Sequence, residues 1–156
     1  MTTKKMAIIA TKGALDMAYP PLILASTAAA LDWEVQVFFT FYGLSLLRKD
    51  ISDIRISPLA NPAMPMPMPM PVTLRMMPGM EAMATSMMKA KMKKKGVATL
   101  EELRSLCLEA EVKFIACQMT VDLFDFSKAD FIDGIEYGGA ATFMKFAGET
   151  DVCLFI

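Results

Sequence analysis

Lys113-Phe-Ile-Ala-Cys-Gln-Met-Thr-Val-Asp122 is the stretch from which the fold can be read. Phe114 to Ala116 is a short apolar run, and such a run predicts a buried strand. It leads straight into Cys117. Thr120 and Asp122 then suit the opening of a helix, with a short helical turn expected around Val121 to Phe126. In α/β proteins functional groups collect at the carboxyl ends of the strands. A thiol there, close to a helix N-terminus, is in a place that favours the reactive thiolate. The stretch therefore predicts an α/β protein whose remaining chain holds Cys117 in a cleft.

The flanking segments extend the same pattern. Upstream, Thr99-Leu-Glu-Glu102 is a capping box, because Glu102 lies three residues after Thr99. It opens a helix running to about Glu111, with Leu103, Leu106, Cys107 and Ala110 on its apolar face. Downstream, Gly134-Ile-Glu-Tyr-Gly-Gly139 predicts a turn into a helix over Ala140 to Ala147. Val152 to Ile156 predicts a last strand. Near the start, Met6 to Ala10 predicts a central parallel strand ending at Thr11-Lys12-Gly13. Leu15 to Leu31 predicts a helix that Pro20 and Pro21 should kink or restart. Glu34 to Phe41 is β-branched and aromatic, so it predicts a second strand. A short helix is expected over Leu44 to Lys49. Strands alternating with helices describe a doubly wound α/β sandwich.

Between these halves the composition changes. Ala63-Met-Pro-Met-Pro-Met-Pro-Met-Pro71 alternates methionine with proline, which blocks both helix and strand and predicts an extended, polyproline-like segment. A Met-rich helix is expected from near Pro78 to Gly96. Its lysines, from Lys89 to Lys95, suit the negative end of the helix dipole. A single domain over residues 1–156, with a Met/Pro-rich insertion at about 57–80, fits this organisation.

Composition narrows the chemistry. The chain has 156 residues, 16 basic and 17 acidic, and no histidine. Without histidine, the commonest general base, the commonest zinc ligand and every Cys-His mechanism drop out. Thiols, carboxylates, lysines and tyrosines remain, and neither a metal nor a cofactor is expected. A net charge of −1 gives no basic stripe for a nucleic-acid partner. The three cysteines, Cys107, Cys117 and Cys153, lack the paired spacing of a disulfide framework. The apolar run Met6 to Ala10 is too short for a secretory segment, so a cytoplasmic location is expected. Ala14 to Leu31 carries Asp16 and two prolines and falls short of the roughly 20 apolar residues of a membrane span.

Cys117 is either a reactive thiol or a buried strand-end residue. Asp122 would oppose the thiolate; N–H groups at a helix start would support it and could hold the outer sulfur of a persulfide. Gln118, Thr120 and Asp122 follow it directly. Gly138 and Gly139 are expected at the same sheet edge, with Glu136 and Tyr137 lining the cleft. Cys107 is either a small core residue or a second thiol that exchanges sulfur with Cys117, and Cys153 is expected in the core. The methionines of the Met-Pro tract and of Met76 to Met92 admit three readings. They are a Cu(I) site, an adaptable surface for a protein or membrane, or a loop followed by a Met-rich core helix. The lysine run is a solvated helix end, or attracts an acidic carrier protein or an anionic membrane.

Several of these segments resemble the DsrE/DsrF-like family. They are Thr11-Lys-Gly-Ala-Leu-Asp16 with Ala18-Tyr19-Pro20, Phe38-Phe-Thr-Phe-Tyr-Gly43, Met77-Pro-Gly-Met80, Ala116-Cys-Gln-Met-Thr-Val-Asp122 and Asp133-Gly-Ile-Glu-Tyr-Gly-Gly-Ala-Ala-Thr142. The subgroup most similar is the branch labelled peroxiredoxin-like. The resemblance covers nearly the whole chain in order. It implies a three-layer α/β/α sandwich with about five mostly parallel strands, and cytoplasmic homo-oligomers. It also implies a sulfurtransferase of sulfur oxidation, in which a cysteine carries a persulfide and exchanges sulfane sulfur with TusA-like carriers. That cysteine falls on Cys117; Cys107 lies outside the matched segments. The alternative is a non-catalytic module whose Met-rich surface binds a partner protein or touches a membrane.

Overall fold

The computed structural model describes residues 3–57, 73 and 77–156. Five strands form one sheet: β1 (Lys5–Ala10), β2 (Glu34–Phe39), β3 (Lys113–Cys117), β4 (Glu136–Gly138) and β5 (Val152–Phe155). Their order is β4-β3-β2-β1-β5, and every neighbouring pair is parallel. The helices are α1 (Leu15–Ala30), α2 (Met80–Lys94), α3 (Leu100–Glu109), α4 (Gln118–Leu123) and α5 (Ala140–Ala147), with a 3₁₀ turn over Phe41–Leu47.

The layers follow from how the strands divide their side chains. In β1, Met6, Ile8 and Ala10 join Val35, Val37, Phe39, Phe114 and Ala116 in a core beneath α1 and α3. Ala7, Phe38, Ile115 and Cys117 face the other way and meet Phe143 and Phe146 of α5. Helices thus lie on both faces of a parallel sheet, the three-layer α/β/α sandwich. β2 and β3 are buried on both faces, so they read as continuous apolar runs. The chain steps from β1 through β4 in one direction. It then returns through α5 to place β5 on the far side of β1.

Several expectations need correction. The segment Gly134 to Gly139 is not only a turn, because it contains β4; three residues are too few to show a strand period. Cys153 is exposed rather than in the core. β5 is an edge strand with alternating burial, and Cys153 and Phe155 fall on its open side. Leu106 is also exposed, and Arg104 takes the buried place on α3. Its Nη1 donates to the carbonyls of Leu46 at 2.8 Å and Arg48 at 2.7 Å, which satisfies the buried guanidinium. α1 runs unbroken through Pro20 and Pro21. The prolines remove only two donors, and Pro21 is fully buried against the core. β2 stops at Phe39, and the helical turn begins at Phe41 rather than Leu44. The Met-Pro tract, with its polyproline expectation and the proposed Cu(I) ligands, lies outside the described residues.

Two contacts hold the loops at the carboxyl edge together. A side chain on Gly43 would collide with the Ala10 carbonyl, and one on Gly13 with Ser45 and the Tyr42 carbonyl. The loop after β1 and the turn after β2 therefore pack backbone to backbone, an approach only glycine permits.

Candidate functional site

Cys117 ends β3 and is the residue before α4. Its place follows from register. Phe39 of β2 pairs with Ala116, so Thr40 comes next beside Cys117, and on the other side Cys117 itself pairs with Gly138. The thiol therefore lies between two strand ends, on the face roofed by α5. It packs in one cluster with Phe38, Ile115, Phe143 and Phe146, and the residue is 4% exposed. Phe143 stacks on Phe38 with ring centroids 5.0 Å apart.

Burial pushes the Cys117 thiol up, because an apolar roof disfavours charge. Four donors outweigh it: the Thr120 hydroxyl and N–H, the Thr40 hydroxyl and the Met119 N–H stabilise the thiolate. The net effect holds Cys117 below the ordinary thiol range. The two threonine hydroxyls are 3.2 Å apart, and Thr120 Oγ1 also accepts the Phe41 N–H at 3.2 Å. Thr120 has no exposed surface at all. These residues form a small, preorganised polar cradle inside an otherwise apolar site.

The other expected site residues divide. Gly138 lies beside Cys117, where an added Cβ would touch Ile115 and Thr142 at 3.4 Å. Gly139 caps α5. Gln118 turns outward and donates to Asp122 Oδ1 at 2.8 Å, on the exposed side of α4. Asp122 plays no part in the shift of the thiol. Glu136 is exposed on β4. Tyr137 projects to the opposite face of the sheet, where it meets Phe131 at 6.3 Å beneath Lys128. It therefore does not share the thiol's surroundings.

Cys107 sits in the core on the α1 and α3 face, with the sheet between it and Cys117. Its Sγ donates to the Leu22 carbonyl at 3.4 Å, and burial pushes the thiol up to about 12. A thiol held in this way stays protonated at neutral pH, which disfavours the exchange of sulfur expected of a second thiol.

A cavity of about 460 Å³ opens at the same edge of the sheet. It lies between the loop after β1, the 3₁₀ turn and the end of α4, with Lys12, Met17, Phe41, Tyr42, Phe124 and Phe126 in its walls. Cys117 does not line it. Its neighbour is an aromatic chain in which Tyr42 stacks on Phe124 at 6.0 Å and Phe126 meets Phe131 at 5.4 Å. Thr40 and this aromatic surface are the parts that sequence reasoning missed. Aligning the carboxyl ends of β2 and β3 would have found Thr40.

Such a site defines a class: a parallel α/β protein with a cysteine at the carboxyl edge of its sheet. Residues 2–155 match the model of the DsrE/DsrF/DrsH-like family, and the chain belongs to that family. It is 68% identical over 160 residues to the sulfur carrier protein DsrE2 of Allochromatium vinosum, covering 100% of both chains. It is 34% identical to the uncharacterized protein YrkE of Bacillus subtilis, over 99% of this chain and 98% of that one. Among solved structures, the ychN protein from E. coli superposes with a TM-score of 0.54 at 13% identity. It covers 99% of this chain and 100% of that one, a likeness of fold alone.

Proposed function

We propose that this protein is a cytoplasmic sulfur carrier that holds sulfane sulfur as a persulfide on Cys117. The observation that carries the reading is the place of Cys117 at the carboxyl end of β3, between Thr40 and Gly138 and just before α4, where the donors of Thr40, Thr120 and Met119 favour the thiolate. The 68% identical relative, named a sulfur carrier protein, supports the same role. In loading, the Cys117 thiolate attacks the outer sulfur of a donor persulfide, and the donor leaves as its thiolate. In unloading, an acceptor thiolate attacks the outer sulfur on Cys117, and Cys117 leaves as the thiolate. Neither step changes the total oxidation state, and neither needs a metal or histidine. The donors that stabilise the Cys117 thiolate also make it a good leaving group.

TusA-like proteins are the acceptors or donors we propose, in a sulfur-oxidising setting. The protein acts as a persulfide-type sulfurtransferase and as a homo-oligomer. Exposed Cys153 and Phe155, on the sheet face that α5 leaves open, support self-association. The test is transfer from the loaded protein to a TusA-like carrier, followed by persulfide labelling of both chains. Sulfur should move from wild type and not from Cys117→Ser. Equal transfer by the variant would remove the assignment.

A second reading keeps one observation of its own. On α2 only Thr85 is buried, while Met83 and Met87 are exposed beside the lysines. That face fits an adaptable partner or a membrane surface, and it would serve docking even if Cys117 were only structural.

A further inference from the structure

Beside Cys117 the chain exposes apolar surface that nothing among the described residues covers. Met119 and Leu123 stand one turn apart on α4 and are 61% and 58% exposed. Tyr42 is 70% exposed and stacks on Phe124. Phe41, held at φ 48, meets Phe124 edge-on at 6.5 Å. The Phe41 N–H binds Thr120 Oγ1, the same hydroxyl that supports the thiolate. The apolar surface and the thiol are thus fixed by one shared contact. Aromatic side chains of this kind carry much of the energy of protein interfaces.

The segment that follows Cys117 is one-sided in charge, with Lys12 in the wall of the cavity that Tyr42 and Phe124 share. From Gln118 to Gly139 the chain carries Asp122, Asp125, Asp130, Asp133 and Glu136, all exposed, against Lys128 alone. The ion pairs among the described residues involve none of these carboxylates. Asp122 and Asp125 bracket Leu123 and Phe124 in the chain. Glu136 lies two residues before Gly138, the strand partner of Cys117, and on the same sheet face. The whole chain is nearly neutral, so the excess belongs to this segment.

We propose that Tyr42, Met119, Leu123 and Phe124, rimmed by Asp122, Asp125 and Glu136, dock a thiol-bearing protein with a lysine- or arginine-rich face around an apolar centre. The proposal rests on Cys117 being the sulfur carrier and names the kind of partner it serves. An approaching acceptor thiolate is itself anionic, so this rim opposes it. A partner that brings cations to the rim removes that opposition and gains steering. A carrier with an acidic face is rejected by the same charges. Transfer then follows the balanced exchange above: the acceptor sulfur bonds to the outer sulfur, the Sγ–S bond of Cys117 breaks, and Cys117 departs as thiolate.

Three synthetic peptides test it, each with one cysteine between leucines and flanked by four lysines, four glutamates or four serines. Sulfur transfer from loaded Cys117 to the lysine peptide should exceed transfer to the glutamate peptide at least about tenfold at low salt. The gap should collapse at 1 M salt, where the Debye length falls to about 3 Å. It should also collapse in Asp122→Asn/Asp125→Asn/Glu136→Gln. Equal rates, a preference for glutamate, or a preference that survives the triple substitution would each overturn the proposal. Binding of fluorescent serine-for-cysteine versions of the peptides, read by anisotropy, tests the surface separately. A chain that binds the lysine peptide but takes up no sulfur keeps the surface and loses the carrier reading. One that loads sulfur without any charge preference keeps the reading and loses the surface.

Discussion

Cys117 and Cys107 are two buried thiols whose surroundings push them in opposite directions. Both are buried in the chain, yet the donors around Cys117 outweigh the cost of burial, and Cys107 has no such set. Iodoacetamide labelling against pH should therefore show Cys117 titrating lower than a free thiol measured alongside it. The sign is fixed by the cause. The thiolate is stabilised in the folded protein, so reactivity persists as pH falls past the range where a free thiol is already protonated. Thr40→Val and Thr120→Val should each move that midpoint upward, and a midpoint unchanged in both would contradict the cradle. Cys153 should label quickly in the native state, whereas Cys107 should label only after unfolding. Sequence reasoning placed Cys117 correctly as the end of a strand. It could not weigh Thr40, because the contact depends on the pairing of two strands far apart in the chain. Asp122 illustrates the converse: near in sequence, it is turned aside by Gln118.

At the scale of elements, local signals were legible and shared ones were not. The capping box at Thr99 and Glu102 is present with both of its hydrogen bonds, at 2.8 and 3.1 Å. Thr99→Ala should cost about 1 kcal/mol in chemical denaturation and leave Cys117 reactivity unchanged. α5 matches its expected span because its turn signals and apolar spacing are its own. β4 leaves no local signal, because Glu136-Tyr-Gly138 becomes a strand only by pairing with β3. α1 escaped the expected break because its core contacts, not its local preference, decide its continuity. α5 is also the roof over the thiol. Phe143→Ala should lower stability by about 3–5 kcal/mol and speed Cys117 alkylation. Loss of stability without faster alkylation would place the route to the thiol elsewhere.

For the molecule as a whole, the two sheet faces are unequal. α1 and α3 cover one, while among the described residues only α5 crosses the other and leaves Phe155 exposed at the β5 edge. An apolar edge of this kind invites pairing with another copy. Phe155→Glu should lower the sedimentation mass if that face joins copies, and an unchanged mass would exclude it. The alternation of strands and helices was legible because parallel strands buried on both faces give continuous apolar runs. The division of the faces was not, since such runs look alike whichever side is covered. Among the described residues no helix is long and apolar enough to cross a membrane. The central claim concerns one atom, Cys117 Sγ. Because exposed Cys153 would itself react, the test uses Cys153→Ser as its background. Intact-protein mass spectrometry after incubation with polysulfide should show a gain of one sulfur atom in Cys153→Ser and in Cys153→Ser/Cys107→Ser. The gain should vanish on reduction and be missing in Cys153→Ser/Cys117→Ser. A gain that persists in Cys153→Ser/Cys117→Ser would contradict the account.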